Sequence, residues 1–371
     1  MQAKFVCPCL LGVEGLVARE LREMGAEQVE AVNGRVYFTG GLDMLARANL
    51  CCRYAERVLI QLGSFPARSF EELFEGVRAL PWEAWIGKAD AFPVKGRSIN
   101  SKLFSIPDCQ SIIKKAVVER LKQAYRLPWF EETGPVHQIQ FFLMKDKAEL
   151  MLDTSGPGLH KRGYRAQASL APIKETLAAV MANLARVRAD TQLIDPCCGS
   201  GTILIEGALL AMNIAPGLRR RFAAERWAVS PAAVWRQERQ RAQDLINHDA
   251  AFAAQGYDID QAALDLTMQN AQKAGVASRL TVEKRPLENF VQESQRGTVV
   301  CNPPYGERLL DVRQAQELYQ TMGKLFTPQK GWSYSIISPD EEFEQWFGRA
   351  ADKRRKLYNG MIKCQLYQYF R

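Results

Sequence analysis

The chain is 371 residues long, with 47% hydrophobic and 24% charged residues, the composition of an ordinary globular protein of two or three domains. No apolar run approaches the ~20 residues that cross a bilayer, and the amino terminus has no charged region leading into a signal-like apolar core, so a cytoplasmic location is expected. Nine cysteines without a Cys-x-x-Cys pair, and only three widely separated histidines (His137, His160, His248), argue against a metal site and against a disulfide framework. Forty-nine Lys and Arg against 41 Asp and Glu leave a net charge of +8, a mild excess of the sign expected for a nucleic-acid partner.

Residues 1–65 open with the strand-like Lys4-Phe5-Val6-Cys7, followed by a helical pattern from Val13 to Met24 with apolar spacing at Leu16, Val17 and Leu21. Val29 to Val32 and Val36 to Phe38 are strands joined through Asn33-Gly34, a strong hairpin signal. A helix from Leu42 to Ala48 and a strand from Arg57 to Leu62 complete a β, α, β, β, α, β order, which suggests a ferredoxin-like unit.

From Ser69 to Asp153, within a second unit spanning 66–155, the pattern predicts a helix over 70–77, a strand over 91–94 and a longer helix over 108–125 capped by Asp108. A hairpin of 139–144 with 147–152 closes it. Lys95-Gly96-Arg97-Ser98-Ile99-Asn100-Ser101-Lys102 lies inside this piece, and the long helix carries Lys114 and Lys115. Here the chain resembles the THUMP domain of RNA-modifying enzymes. That resemblance implies a module gripping the end of a folded RNA, with Lys102, Lys114 and Lys115 as candidate contacts; the plainer alternative is a solvated basic face.

Residues 156–170 form a basic linker in which Lys161, Arg162 and Arg165 of Leu159-His-Lys-Arg-Gly-Tyr-Arg165 are candidate phosphate contacts, or alternatively the charged end of an edge strand. Pro172 then suits the first turn of a helix running to Arg186, at the start of a third unit, 171–371. Leu193-Ile194-Asp195-Pro196-Cys197-Cys198-Gly199-Ser200-Gly201-Thr202 reads as an apolar strand, a glycine-bearing turn and a helix, a combination that lets backbone approach a ligand beyond a strand's carboxyl end. It is neither a Walker loop nor a full dinucleotide fingerprint. An acidic residue leading the turn suits S-adenosylmethionine (SAM), whose sulfonium and amino group are cationic. Tyr257-Asp258-Ile259-Asp260, at the end of the next strand, supplies a carboxylate for two ribose hydroxyls (Asp258) and a helix cap (Asp260).

Asp258 lies much farther from Gly201 than the usual ~20 residues, so an insertion is expected over about 213–250. Its Arg219-Arg220-Arg221, Trp227, Trp235, Arg236, Arg239 and Arg241 could line an RNA entrance, but an amphipathic helix pair with its Trp side chains packed inward is favoured. After the strand Leu280 to Lys284, Arg285-Pro286 stands where many SAM-dependent methyltransferases have an acidic residue for adenine, leaving backbone near Leu287 for that role.

Cys301-Asn302-Pro303-Pro304-Tyr305 leaves the strand Thr298-Val299-Val300. An amine on an aromatic ring or in an amide has a delocalised lone pair and is a poor nucleophile. The Asn302 side-chain oxygen and the Pro303 carbonyl could each accept an N–H and redirect that lone pair outward. The two prolines stiffen the loop, and Tyr305 offers a face for base stacking worth about 1–3 kcal/mol. By itself the loop specifies a planar amine. A helix over 312–325, a strand over 333–337, a helix over 341–347 and a hairpin across Asn359-Gly360 follow, the last an antiparallel edge on a mostly parallel sheet.

Asp195-Pro-Cys-Cys-Gly-Ser-Gly-Thr202, Tyr257-Asp-Ile-Asp260 and Asn302-Pro-Pro-Tyr-Gly-Glu-Arg308, behind a THUMP-like half, together resemble the THUMP-containing class I RNA guanine methyltransferases. Leu159-His-Lys-Arg-Gly-Tyr-Arg165 and Ala171-Pro-Ile-Lys-Glu175 are similar to the bacterial branch acting on large-subunit ribosomal RNA; a related branch acts on tRNA. The resemblance implies an α/β fold, a Rossmann-like methyltransferase domain behind ferredoxin-like and THUMP regions. It implies SAM as cofactor and structured RNA as partner, with methyl transfer to a guanine 2-amino group. SAM would lie on Asp195, Pro196, Gly199, Ser200, Gly201, Asp258, Ile259 and Leu287, and the base beside Asn302, Pro303, Pro304 and Tyr305. A cysteine nucleophile is not needed for an amine target. The rivals are a DNA amino-methyltransferase, a protein-glutamine methyltransferase and a non-catalytic RNA-binding assembly factor.

Overall fold

A computed structural model describes residues 2–165, 173–305 and 312–370. The chain begins with β1 (Ala3–Pro8), α1 (Glu14–Glu23), β2 (Glu27–Val32), β3 (Arg35–Gly40), α2 (Leu42–Cys51) and β4 (Leu59–Pro66). The Asn33-Gly34 turn does close the β2–β3 hairpin, with Gly34 in the left-handed region at φ +75°. β1 lies between β3 and β4, antiparallel to both, which is the ferredoxin-like order.

The second region contributes α3 (Phe70–Arg78), β5 (Val94–Ile99), α4 (Ile106–Tyr125), β6 (Ile139–Met144) and β7 (Lys147–Asp153). β7 pairs along the whole of β4, so both amino-terminal regions share one seven-stranded sheet, ordered β2-β3-β1-β4-β7-β6-β5. The strand expected at 91–94 instead begins at Val94. Pro93 has no N–H for a ladder, and Ala91 makes only an isolated bridge to Val136. Lys95 and Arg97 therefore ride on the edge strand β5, which is parallel to β6. Asp108 does not cap α4: Ser105 occupies the cap position, and Pro107 opens the first turn, which Asp108 shares.

The carboxyl-terminal half runs α5 (Glu175–Leu184), β8 (Gln192–Asp195), α6 (Thr202–Ala211), α7 (Ala232–Asp244), β9 (Ala253–Asp258), α8 (Gln261–Ala274), β10 (Leu280–Lys284) and β11 (Gly297–Cys301). It ends with α9 (Val312–Leu325), β12 (Trp332–Ser338), α10 (Phe343–Phe347), β13 (Lys353–Asn359) and β14 (Ile362–Phe370). Pro172 and the Gly306-Glu307-Arg308 part of the Asn-Pro-Pro-Tyr motif fall outside the described residues. The sheet order is β10-β9-β8-β11-β12-β14-β13, with all strands running the same way except β14, which is antiparallel to both its neighbours. The order reverses between β8 and β11, which creates a crevice beyond their carboxyl ends.

The 213–250 insertion is a clamp between the halves. Trp227 and Trp235 are buried; Trp227 stacks on the buried His137 at 4.2 Å and donates to the Val136 carbonyl (3.0 Å). Arg47 of α2 holds Glu238 of α7 through two bonds of 2.8 and 2.7 Å, and Gly217 N–H donates to the Leu50 carbonyl at 2.8 Å. Arg220 donates to backbone carbonyls, and Arg239 to the Leu218 and Arg220 carbonyls and to Glu225 (2.6 Å). The two Trp side chains are therefore packed inward as favoured, on one helix (α7) and a short 3-10 turn rather than a helix pair, while Arg219, Arg221, Arg236 and Arg241 stay exposed.

Candidate active site

β8 and β11 are neighbours, with Val299 opposite Ile194, and so deliver Asp195 and Cys301-Asn302 to the same end of the sheet. β9 lies on the other side of β8 and delivers Asp258 to that end. The turn after Asp195 is pinned from several sides. Cys198 N–H donates to the Tyr257 carbonyl (2.9 Å), Thr267 to the Gly199 carbonyl (2.8 Å), and Asn270 to the Ser200 carbonyl (3.1 Å).

The two glycines in this turn serve different ends. Gly199 sits at φ +52° with open space where a Cβ would be, so it is the point where a ligand can approach backbone closely. Gly201 sits at φ +75°, and a Cβ there would meet the Thr267 side chain at 2.4 Å, so its bareness serves packing against α8. Thr267 and Asn270 were not singled out from the sequence. Their signal is two buried polar side chains on an otherwise ordinary helix.

Asp258 accepts from Gly199 N–H (2.9 Å) and Asp260 N–H (3.0 Å), one bond to each oxygen, which fixes the carboxylate at the rim with acceptor capacity left over. Asp260 caps α8 through the Ala262 N–H at 3.0 Å. Ile259 is 68% exposed beside it, an apolar platform at the crevice, and Leu287 is buried. Asp195 is 1% exposed and, among the described residues, accepts only from Cys197 N–H (3.1 Å). Burial, with the Asp258 charge adding to it, pushes its carboxyl up to about 8. An open glycine cradle, a fixed carboxylate, an exposed apolar residue and an under-bonded buried carboxyl fit a ligand that is cationic, hydroxylated and part aromatic, as SAM is.

The Asp195 environment predicts a pH signature. A cation beside it stabilises the carboxylate, so SAM binding below about pH 8 should release a proton, and affinity should climb with pH and level off above 8. Calorimetry in buffers of different ionisation enthalpy reads that proton directly; buffer-independent heats at pH 7 would show that Asp195 does not meet the cation.

Beside this crevice, the Asn302 Oδ1 is buried with no hydrogen-bond partner among the described residues. Pro303 is buried behind it. Tyr305 is half-buried, and its hydroxyl accepts from Asn359 Nδ2 (2.7 Å) at the tip of the β13–β14 hairpin. Cys197, Cys198 and Cys301 are buried enough to push their thiols well above the ordinary value, which removes any thiolate nucleophile.

The candidate RNA contacts divide. Lys102, Lys115 and Lys161 are exposed. Lys114 is not free: its Nζ donates to the Phe92 carbonyl (3.1 Å), pairs with Glu132 and lies 3.5 Å from the Phe92 ring centroid. Arg162 is 3% exposed and holds the buried Glu206 of α6 at 3.3 Å, where Tyr164 also donates (3.0 Å). Arg165 donates to Thr202 Oγ1 at 2.9 Å and to the Ile173 carbonyl. The expected phosphate contacts of Arg162 and Arg165 are therefore corrected. A guanidinium buried against a carboxylate, as Arg162 is, cannot also reach solvent phosphate; Arg165, partly exposed, spends its Nη2 on Thr202 and Ile173, and both residues brace α6 behind the glycine turn.

No helix among the described residues is long and apolar enough to cross a membrane, and none of them form a group of three or more His, Cys, Asp or Glu suited to a metal. The fold and this crevice define a class I SAM-dependent methyltransferase behind a THUMP-bearing amino-terminal half. The chain belongs to the RMKL-like methyltransferase domain family, whose model matches residues 162–368; an RlmL ferredoxin-like domain matches 4–59 and a THUMP domain 67–153. It is 42% identical, over 97% of its length and 94% of the relative's, to YpsC of Bacillus subtilis, whose RNA methyltransferase designation is provisional. It is 35% identical to the ribosomal RNA large subunit methyltransferase K/L of Syntrophotalea carbinolica over 99% of this chain, spanning only 53% of that protein. Among solved structures, SMU.472 in complex with S-adenosylhomocysteine shares 42% identity and a TM-score of 0.94 over 100% of this chain and 98% of that one. A predicted N6-adenine-specific DNA methylase of Listeria monocytogenes shares 43% identity and a TM-score of 0.94, over 100% of this chain and 96% of that one.

Proposed function

We propose that the chain transfers a methyl group from SAM to the exocyclic 2-amino group of a guanine in structured RNA, with large-subunit ribosomal RNA as first choice and tRNA as second. The observation that carries this reading is the buried Asn302 Oδ1 beside the cofactor crevice, which has no partner among the described residues. A buried acceptor without a donor costs about 1–3 kcal/mol, and an incoming amine N–H relieves that cost. The cofactor supplies an electrophilic methyl group. Asn302 and the Pro303 carbonyl hold the amine with its lone pair aimed at that methyl, and Tyr305, tied to Asn359, presents its free surface to a flipped base. The proton can pass to water after transfer, since the methylated amine is transiently cationic.

RNA as the partner is supported by the THUMP region and by the names of the ribosomal RNA relatives. Guanine rests on the resemblance. The Listeria relative's name favours a second reading, an adenine amine in DNA. Nucleoside mass spectra of ribosomal RNA, tRNA and DNA, from cells with and without the gene, decide between them. Loss of one methylguanosine from ribosomal RNA is expected, whereas loss of N6-methyladenine from DNA alone would overturn the proposal.

Asp258→Ala is expected to raise the Kd for SAM about 10- to 100-fold, since it removes a charged acceptor and unties Gly199. Calorimetry reads the change, and unaltered affinity would rule out the ribose contact.

A further inference from the structure

A cavity of mixed lining lies away from the cofactor crevice, at the seam where α1, the end of α2, α5, the end of α6 and α7 meet, with a volume of about 330 Å³. Its least ordinary lining residue is Arg53. Arg53 is 7% exposed, and its Nη1 is buried with no hydrogen-bond partner among the described residues. Elsewhere at this seam the buried charges are matched, Arg162 with Glu206 and Arg47 with Glu238. Arg53 forms no ion pair among the described residues, and Glu20 feels its charge without bonding the guanidinium; a cation so placed retains donor capacity for an anion.

The surroundings specify the ligand further. Glu20 shares the wall and is itself 8% exposed. Its Oε1 accepts from the Arg53 N–H (2.9 Å), which leaves Oε2 buried and unpartnered. Burial pushes the Glu20 carboxyl up to about 7, so at neutral pH it is partly protonated and able to donate to an anion's oxygen rather than repel it. Arg19 and Arg241 line the same cavity from the surface, Arg19 3.8 Å from the lining carboxylate of Glu23 and Arg241 3.8 Å from Glu238, while Met24, Leu210 and Ala242 give it apolar wall.

We infer that this cavity is a binding site for a small organic anion, a phosphate- or carboxylate-bearing molecule whose charged group pairs with Arg53 and accepts from Glu20 and whose body lies on the apolar wall. The site draws on both halves of the chain, so an occupant would fasten the amino-terminal half to the methyltransferase half. It lies at the carboxyl end of α6, the helix whose amino end carries the glycine turn.

The test is titration of inorganic phosphate into the full chain at fixed ionic strength, with chloride as control, followed by calorimetry and thermal unfolding. Saturable binding with a rise in Tm is expected. Arg53→Met should raise the phosphate Kd at least tenfold and leave SAM affinity unchanged. Should Arg53→Met fail to fold, Arg241→Gln on the cavity rim is expected to raise the Kd several-fold. Competition separates the sources of the anion: displacement by ribose 5-phosphate assigns a small metabolite, and displacement only by a 5′-phosphorylated oligoribonucleotide assigns an RNA end. No saturable phosphate binding, or binding undiminished in the folded variants, would overturn the site.

Discussion

Asn302→Ala is expected to lower the rate of methyl transfer by about 10²- to 10³-fold, or about 2.7–4 kcal/mol of barrier, while SAM affinity stays within twofold of wild type. The separation follows from geometry. Asn302 leaves β11, whereas the glycine turn follows β8 and Asp258 ends β9; the bonds that hold the turn come from Thr267, Asn270 and Asp258, none of which touches Asn302. Truncation also removes a buried, unsatisfied oxygen, so the fold should be no less stable. Asn302→Asp keeps an acceptor and should retain more activity than the alanine variant. Single-turnover methylation with saturating SAM reads the rate, and turnover within threefold of wild type in Asn302→Ala would end the assigned role.

Arg162→Met should destabilise the chain by about 3–5 kcal/mol, because it leaves Glu206 buried without its cation. For a chain of this size that amounts to a loss of roughly 10 °C in Tm. Arg162 also donates to the Arg53 carbonyl (2.6 Å) and the Leu159 carbonyl (3.0 Å), so the loss falls on the junction of the two halves. Replacing both partners, Arg162→Met with Glu206→Leu, should recover much of the stability, since the desolvated charge is then gone. A phosphate-contacting arginine would behave in the opposite way, weakening RNA binding with an unchanged Tm.

Local sequence determined a good deal about this protein. Asn33-Gly34 dictates a hairpin because its turn needs a left-handed residue, and apolar runs closed by Asp195 and Asp258 place two carboxylates at strand ends. Asp260 caps its helix because a side chain one position ahead of a helix meets free N–H groups whatever the rest of the chain does. These signals act over a few residues, so the sequence carries them by itself, and the methyl-donor motif and the amine loop belong to the same class.

What each cation pairs with was not legible, because the partner is set by distant chain. Lys161, Arg162 and Arg165 look alike as a basic stretch. Only the packed fold leaves Lys161 in solvent, sinks Arg162 onto Glu206 and bends Arg165 to Thr202. The insertion shows the same dependence: Trp227 packs on His137 and Glu238 pairs with Arg47 across the seam between the halves, while Arg219, Arg221, Arg236 and Arg241 stay exposed. The sequence by itself settles where backbone turns and which chemistry stands at the strand ends, because those depend on neighbours in the chain. Only the tertiary structure decides which charges are free to meet a partner, because burying a charge is tolerable only where another part of the chain supplies its opposite.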